Sequence, residues 1–206
     1  MRFKHDIRGW FYKIKNYCRV ILYVLLLAQL VKLKMIIRGV SFGRNVKFNG
    51  FPLVRRVPYS HIILGNNCEI NSSRYSIPLG LYRPCAFVTI KKGAEIIIGD
   101  NSGCSGVSIA AAKSIRIGKN VLIGAFCTII DNDFHNSDPA RRIAVESKPV
   151  VIEDNVFLGF NCFVLKGVTI GKNSVIGANS VVISSIPPNS LAMGNPCKVV
   201  LKRDWE

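Results

Sequence analysis

The sequence predicts an all-β fold, a parallel β-helix wound from short strands and turns, with an N-terminal α-helical segment and a short C-terminal tail. Three observations predict it. From Ile152 an aliphatic residue stands at every sixth position: Ile152, Leu158, Val164, Ile170, Ile176 and Val182. Glycine follows three of them directly, at Gly159, Gly171 and Gly177. The same strict sixes occur earlier at Ile117, Ile123 and Ile129, two of them followed by Gly118 and Gly124. Residues an even number apart point to one side of an extended chain, whereas six steps around an α-helix leave the side chain about 120° from its start. A six-residue period is the signature of a parallel β-helix. The 17 glycines and nine prolines, spread along the chain, suit a solenoid with many corners.

The N-terminal segment, residues 1–38, does not repeat. It interleaves basic and aromatic residues (Arg2, Phe3, Lys4, Trp10, Phe11, Tyr12, Lys13, Lys15, Tyr17, Arg19), then runs apolar from Val20 to Val31 and closes on Lys32, Lys34 and Arg38. Without proline and with a single glycine, Gly9, it reads as helix. Twelve apolar residues fall short of the roughly 20 that a membrane span needs, and no small-residue cleavage site suggests a signal peptide. Most of the formal net charge of +16 lies toward the N-terminal end: residues 1–60 hold thirteen of the 28 Lys and Arg and one acid, Asp6. A cationic helix with Trp, Phe and Leu fits one lying in a membrane interface; packing on its own β-domain or on a neighbouring subunit is the alternative. The basic residues join no nucleic-acid reader motif, so no nucleic-acid partner is expected.

The solenoid domain is placed at residues 39–186. Its hexads are irregular at first, and Ser72–Pro84, with Pro78, Gly80 and Pro84, reads as a loop. The register breaks again after Ile129, the next clear hexad residue being Ile152, 23 positions on. The break holds Asp131-Asn132-Asp133-Phe134-His135, then Asp138, Arg141 and Arg142. A solenoid does not need so polar an interruption, so a protruding loop over 131–149 is a candidate functional loop. Pro187 and Pro188 stop strand pairing and begin the tail, 187–206. The seven cysteines show no metal-ligand spacing, so no metal is expected; Cys127 and Cys162 read as small buried residues.

With these features on view, the chain resembles the hexapeptide-repeat acyltransferases, whose fold is a left-handed parallel β-helix. The resemblance rests on repeat units such as Ile170-Gly-Lys-Asn-Ser-Val, on the loop Asp-Asn-Asp-Phe-His, and on the C-terminal Ile-Pro-Pro-Asn-Ser…Gly-Asn-Pro-Cys-Lys-Val, and spans about residues 40–203. Loop and tail together resemble the sugar O-acetyltransferase branch, which modifies lipopolysaccharide, capsule and related saccharides. The resemblance implies a homotrimer that uses acetyl-CoA held between neighbouring solenoids, with His135 as catalytic residue. It places CoA contacts at Gly159, Phe160, Ala178, Ile183, Ser184 and Lys198; many members have Thr-Lys where this chain has Ile183-Ser184. Ser105, in the segment Ser102–Gly106, matches a stretch lining the acceptor cleft.

The chemistry agrees with the residues. Acetyl transfer to a hydroxyl needs a base, and neutral imidazole is the natural one near pH 7. Of the three histidines, His5 sits in the basic segment, His61 among the irregular entry coils, and His135 alone on the polar loop. A base needs an orienting partner. Asp131, Asp133 and His135 are spaced by two and share one face if extended, so either acid is a candidate, as are Asn136 and a backbone carbonyl; alternatively the acids shape the loop or bind Arg141 and Arg142. Asn136, Arg141 and Arg142 are candidate contacts for an acceptor or the CoA phosphates; the arginines equally suit a solvated surface. The expected function is thus a membrane-associated, cytoplasmic O-acetyltransferase, peripheral on the inner face of a bacterial cytoplasmic membrane, acting on a surface-polysaccharide or lipid-linked sugar. The rivals are an N-acetyltransferase acting on a nucleotide-linked amino sugar, a non-catalytic saccharide-binding solenoid, and a zinc enzyme of the carbonic-anhydrase type, for which the repeats offer too few histidines.

Overall fold

The computed structural model describes residues 7–22, 27–136, 138–143 and 145–202. The first six residues of the basic segment, with His5, and residues 23–26 of the apolar run lie outside the described residues, as do the last four of the tail. Two helices come first, α1 (Ile7–Leu22) and α2 (Ala28–Ile37), and strands begin at Val40. The strands form three parallel sheets that run the length of a three-sided solenoid. The first stacks Val40–Phe42, His61–Leu64, Glu95–Ile98, Ser114–Ile117, Val150–Ile152 and Thr169–Ile170. The second stacks Lys47–Asn49, Glu69–Asn71, Gly103–Ser105, Leu122–Ile123, Phe157–Leu158, Val175–Ile176 and Ser190–Met193; Lys198–Lys202 closes it antiparallel. The third stacks Leu53–Arg55, Ala86–Thr89, Ser108–Ala111, Thr128–Ile130, Phe163–Val164 and Val181–Val182.

Each six-residue unit supplies one side of a coil, so three units make one turn. Ile117, Ile123 and Ile129 lie on the first, second and third sheet, and Ile152, Leu158 and Val164 lie above them in register. The inward columns are long: Leu64, Ile98, Ile117, Ile152 and Ile170 on the first sheet, and Val54, Phe87, Ile109, Ile129, Val164 and Val182 on the third. All are buried, and each such side chain removed from water contributes about 1.5–3 kcal/mol. Six of the seven cysteines are buried among them as free thiols, Cys127 and Cys162 included. Burial pushes the Cys68 and Cys197 thiols up.

The corner between the first and second sheets is built on asparagine. Asn45, Asn67, Asn101, Asn120, Asn155, Asn173 and Asn189 all adopt positive φ, a conformation asparagine tolerates. Each side-chain amide donates to the next along the axis, at 2.9–3.2 Å. α2 covers the open end of the solenoid, with Val31 and Met35 buried in the core. Two excursions leave the coils. Residues 72–85 leave the corner between the second and third sheets, and residues 131–149 leave the corner between the third sheet and the first.

Candidate functional site

The 131–149 excursion is closed at its base. Asn132 bridges to Ser147, and the Lys148 N–H donates to the Asp131 carbonyl at 2.9 Å. Asp131 is fully buried. Its carboxylate accepts the backbone N–H groups of Ala112, Lys113 and Ser114 at 2.6–2.8 Å and the Asn132 amide at 3.2 Å. It therefore nails the loop to the coil below and does not orient His135. The shared face expected for Asp131, Asp133 and His135 does not form, because the chain is not extended there: Phe134 has φ 58°. The Phe134 N–H is held by the Asn132 side chain at 2.9 Å, and the His135 N–H donates to the Asp133 carbonyl at 2.6 Å. That tight turn leaves His135 exposed.

Asp133 is engaged elsewhere. Its Oδ2 accepts from Lys166 Nζ at 2.5 Å, and the same ammonium reaches Glu146 at 2.7 Å. Lys166 lies on the corner of the next coil, so one cation ties the outgoing and returning limbs of the loop to the solenoid. Lys148 adds a second contact to Glu146 at 2.9 Å. Lys166 and Lys148 hold the Glu146 carboxyl down at about 2, and Asp133 and Glu146 push the Lys166 ammonium up. Lys166 escaped sequence reasoning because a lysine beside a corner glycine carries no signal of its own.

The loop tip is shaped by its own side chains. Asn136 Oδ1 accepts the Asp138 N–H at 2.9 Å, and Asp138 caps the short 3-10 turn Pro139–Arg141 by accepting from Ala140 at 2.9 Å. Arg141 makes a loose 3.9 Å ion pair with Asp138, while the Arg142 carbonyl accepts the Asn136 N–H at 3.1 Å. Both arginines are exposed, and Ile143 beside them is 96% exposed.

The other expected contacts divide between two edges of the third sheet. Ser105, Gly159, Phe160 and Ala178 lie on its entry corner, and Lys198 on the tail strand next to it. Ile183 and Ser184 lie on the exit corner, the one that carries the His135 loop. Phe160, Ala178, Ile183, Ser184 and Lys198 are exposed, whereas Gly159 is buried. A Cβ at Gly159 would meet the Ala178 amide at 2.6 Å, so close stacking of coils alone requires this glycine.

The entry corner also carries an aromatic group that the sequence did not single out. Tyr82, on the 72–85 excursion, stacks on Phe126 with ring centroids 4.0 Å apart, and Phe126 meets Phe160 edge-on at 5.4 Å. Phe126 takes positive φ where the coils above place Asn161 and Asn179. Arg83 locks the excursion down, donating to the Gly106 carbonyl at 3.0 Å and to the Phe126 carbonyl at 2.5 Å. Ser105 accepts from Asn71 at 3.3 Å on this corner. A cavity of about 660 Å³ opens within the excursion, lined by Ser72, Arg74, Leu79, Tyr82 and Arg83.

Known proteins share this architecture. The hexapeptide repeat of succinyl-transferase matches residues 114–130 and 149–184, which leaves the 131–148 break outside the repeat. A candidate acetyltransferase of Schizosaccharomyces pombe is 41% identical over 107 residues, 52% of this chain and 50% of that protein. The chain thus spans about half the length of the curated relatives it matches. Among solved structures, a maltose O-acetyltransferase from Clostridium difficile is 26% identical with TM-score 0.53, covering 94% of this chain and 88% of that one. A variant of an N-acyltransferase from Bacillus cereus, in complex with dTDP and coenzyme A, shares the fold at 18% identity and TM-score 0.63, over 83% of this chain and 89% of that one. Period, matched repeat and structural likeness agree: the chain folds as a left-handed parallel β-helix built from hexapeptide repeats.

Proposed function

We propose that this protein is an acyltransferase that moves acetyl from acetyl-CoA to a sugar hydroxyl, with His135 as general base. The observation that carries the reading is His135 itself: an exposed imidazole on a loop pinned at its base by Asp131 and along its limbs by Lys166. Among the described residues no side chain hydrogen-bonds that imidazole, so its ring nitrogens are open to an acceptor. The sugar hydroxyl gives its proton to the imidazole as its oxygen attacks the thioester carbonyl. The tetrahedral intermediate then expels the CoA thiolate, which leaves as the thiol with the proton carried by the imidazolium. No covalent enzyme intermediate and no metal enter this scheme. Likeness to a maltose O-acetyltransferase over most of both chains supports a saccharide acceptor.

The donor groove is shared between copies. Gly159, Phe160, Ala178 and Lys198 flank one edge of the third sheet, while His135, Ile183 and Ser184 flank the other, so the set closes when the entry corner of one solenoid faces the exit corner of the next. A homotrimer supplies that juxtaposition three times over. The acceptor enters beside Ser105, on the corner from which residues 72–85 depart, and Arg141 and Arg142 meet anionic groups of either substrate. The basic helical segment places the enzyme on the inner face of a bacterial cytoplasmic membrane, where lipid-linked precursors of lipopolysaccharide and capsule are acetylated. Among the described residues no helix is long and apolar enough to cross a membrane.

A second reading, N-acylation of a nucleotide-linked amino sugar, is favoured by the fold shared with the N-acyltransferase that binds dTDP and coenzyme A. Release of free thiol from acetyl-CoA against matched hydroxyl and amino-sugar acceptors separates the two. Wild type should release thiol with a hydroxyl acceptor and His135→Ala should not; equal rates in the two proteins would sink the mechanism.

A further inference from the structure

α2 presents two apolar faces. One buries Val31 and Met35 in the solenoid end; the other leaves Leu30, Leu33 and Ile37 in solvent. Beside the helix lies a groove of about 390 Å³, with Lys34, Arg38 and Arg55 around a floor that includes Phe51, Pro52 and Leu53. The Lys34 ammonium sits 5.0 Å from the Phe51 ring centroid, which fixes one wall. The neighbouring Arg56 is already committed: it donates to the Arg38 carbonyl at 3.4 Å and to the Ser60 carbonyl at 2.8 Å. Lys34, Arg38 and Arg55 are not. Among the described residues their side chains have no hydrogen bond or ion pair, and no acidic residue occurs anywhere between positions 7 and 68. Three like charges around one groove repel each other unless an anion joins them.

We infer that this groove binds the phosphate of an anionic membrane lipid. Phosphate meets the cations; the apolar rim tells lipid from free phosphate. Phe51 and Leu53 are exposed in the groove and Leu30, Leu33 and Ile37 on the helix beside it; a soluble phosphate ester makes no use of these apolar groups, whereas acyl chains do. The groove also borders the first strand of the third sheet, three strands below the one that leads into the His135 loop. Strand spacing puts the strand that leads into that loop about 14 Å above Leu53–Arg55, a separation that a saccharide attached to such a lipid can span. This inference rests on the membrane reading above and gives it an address.

The test uses the full chain and vesicles of phosphatidylcholine with or without phosphatidic acid. Binding is followed by sedimentation, and folding by circular dichroism. Lys34→Gln/Arg38→Gln/Arg55→Gln should lose affinity for the phosphatidic acid vesicles roughly fivefold per cation, on the order of a hundredfold in all. Lys91→Gln/Lys92→Gln/Lys172→Gln, three exposed cations elsewhere, should lose no more than about fivefold. The single Arg55→Gln gives the same answer at smaller amplitude if the triple variant folds poorly. Wild type that ignores both kinds of vesicle overturns the membrane reading and this site with it. Equal losses in the two triple variants overturn the site alone. If glycerol phosphate at matched ionic strength strips wild type from the vesicles, the groove takes the headgroup without the lipid, and the lipid assignment falls.

Discussion

Two residues four positions apart, Asp131 and His135, do unlike work. Asp131 is buried and receives three backbone N–H groups from a corner of the coil below. Replacing it with alanine leaves those donors without a partner, and each orphaned buried donor costs about 1–3 kcal/mol. Asp131→Ala should therefore lower unfolding free energy by about 3 kcal/mol or more, with Asp131→Asn recovering part of it; denaturant melts measure both. An unchanged melt for the alanine variant would contradict the anchoring role. His135 is exposed, so His135→Ala should leave that melt in place. As the proposed base it should lower kcat by about 10²–10⁴ with little change in KM. The contrast is diagnostic: one variant loses stability, the other loses chemistry.

At the scale of elements, the loop is held by Lys166, whose ammonium joins Asp133 to Glu146. Both carboxylates are exposed, while the Lys166 side chain keeps about one fifth of its surface in solvent, so solvent screens the pairs and Lys166→Ala should cost about 1 kcal/mol or less in stability. It should still speed amide exchange through residues 131–149, and the acetyl-transfer rate should fall with it. Exchange no faster than wild type would mean that Asp131 and the Asn132–Ser147 bridge suffice. The pH dependence has a definite sign. Glu146 is depressed from its ordinary 4.5 to about 2, so its contribution is complete above about 4.5 and is lost as the pH falls through about 2. Loop protection should then be flat across the neutral range.

The hexads were legible because each inward aliphatic falls on one of three sheets, which turns a spacing of six into a column in space. The asparagine corner was legible in principle too: Gly-x-Asn recurs ahead of Asn45, Asn67, Asn101, Asn120 and Asn173. What spacing alone misjudged was the loop. Asp131, Asp133 and His135 alternate in sequence, but positive φ at Phe134 and burial of Asp131 send them to different surroundings. Local pattern predicts side-chain direction only where the chain stays extended. Lys166 and Tyr82 were invisible for a related reason: their partners lie 33 and 44 positions away, brought close only by the stacking of coils.

At the scale of the whole molecule, the proposed site is divided by the width of the third sheet. Its entry corner carries Phe160 and Ala178; its exit corner carries the His135 loop, Ile183 and Ser184. One copy cannot fold a sheet edge onto its opposite edge, because the columns of Val54, Phe87, Ile109, Ile129, Val164 and Val182 keep that face filled. Division of the site has a consequence that point variants alone do not reach. His135→Ala disables the exit corner, and Ala178→Trp fills the exposed entry corner. Each homogeneous protein should be inactive. Co-expressed with separate affinity tags and purified through both, they should yield the mixed form of the proposed trimer, in which an intact exit corner can meet an intact entry corner. Each trimer that carries both tags pairs two intact corners at one of its three interfaces, so activity should return to about one third of wild type. If the catalytic set instead closed inside a single chain, every chain in the mixture would still carry one broken half, and no activity would return.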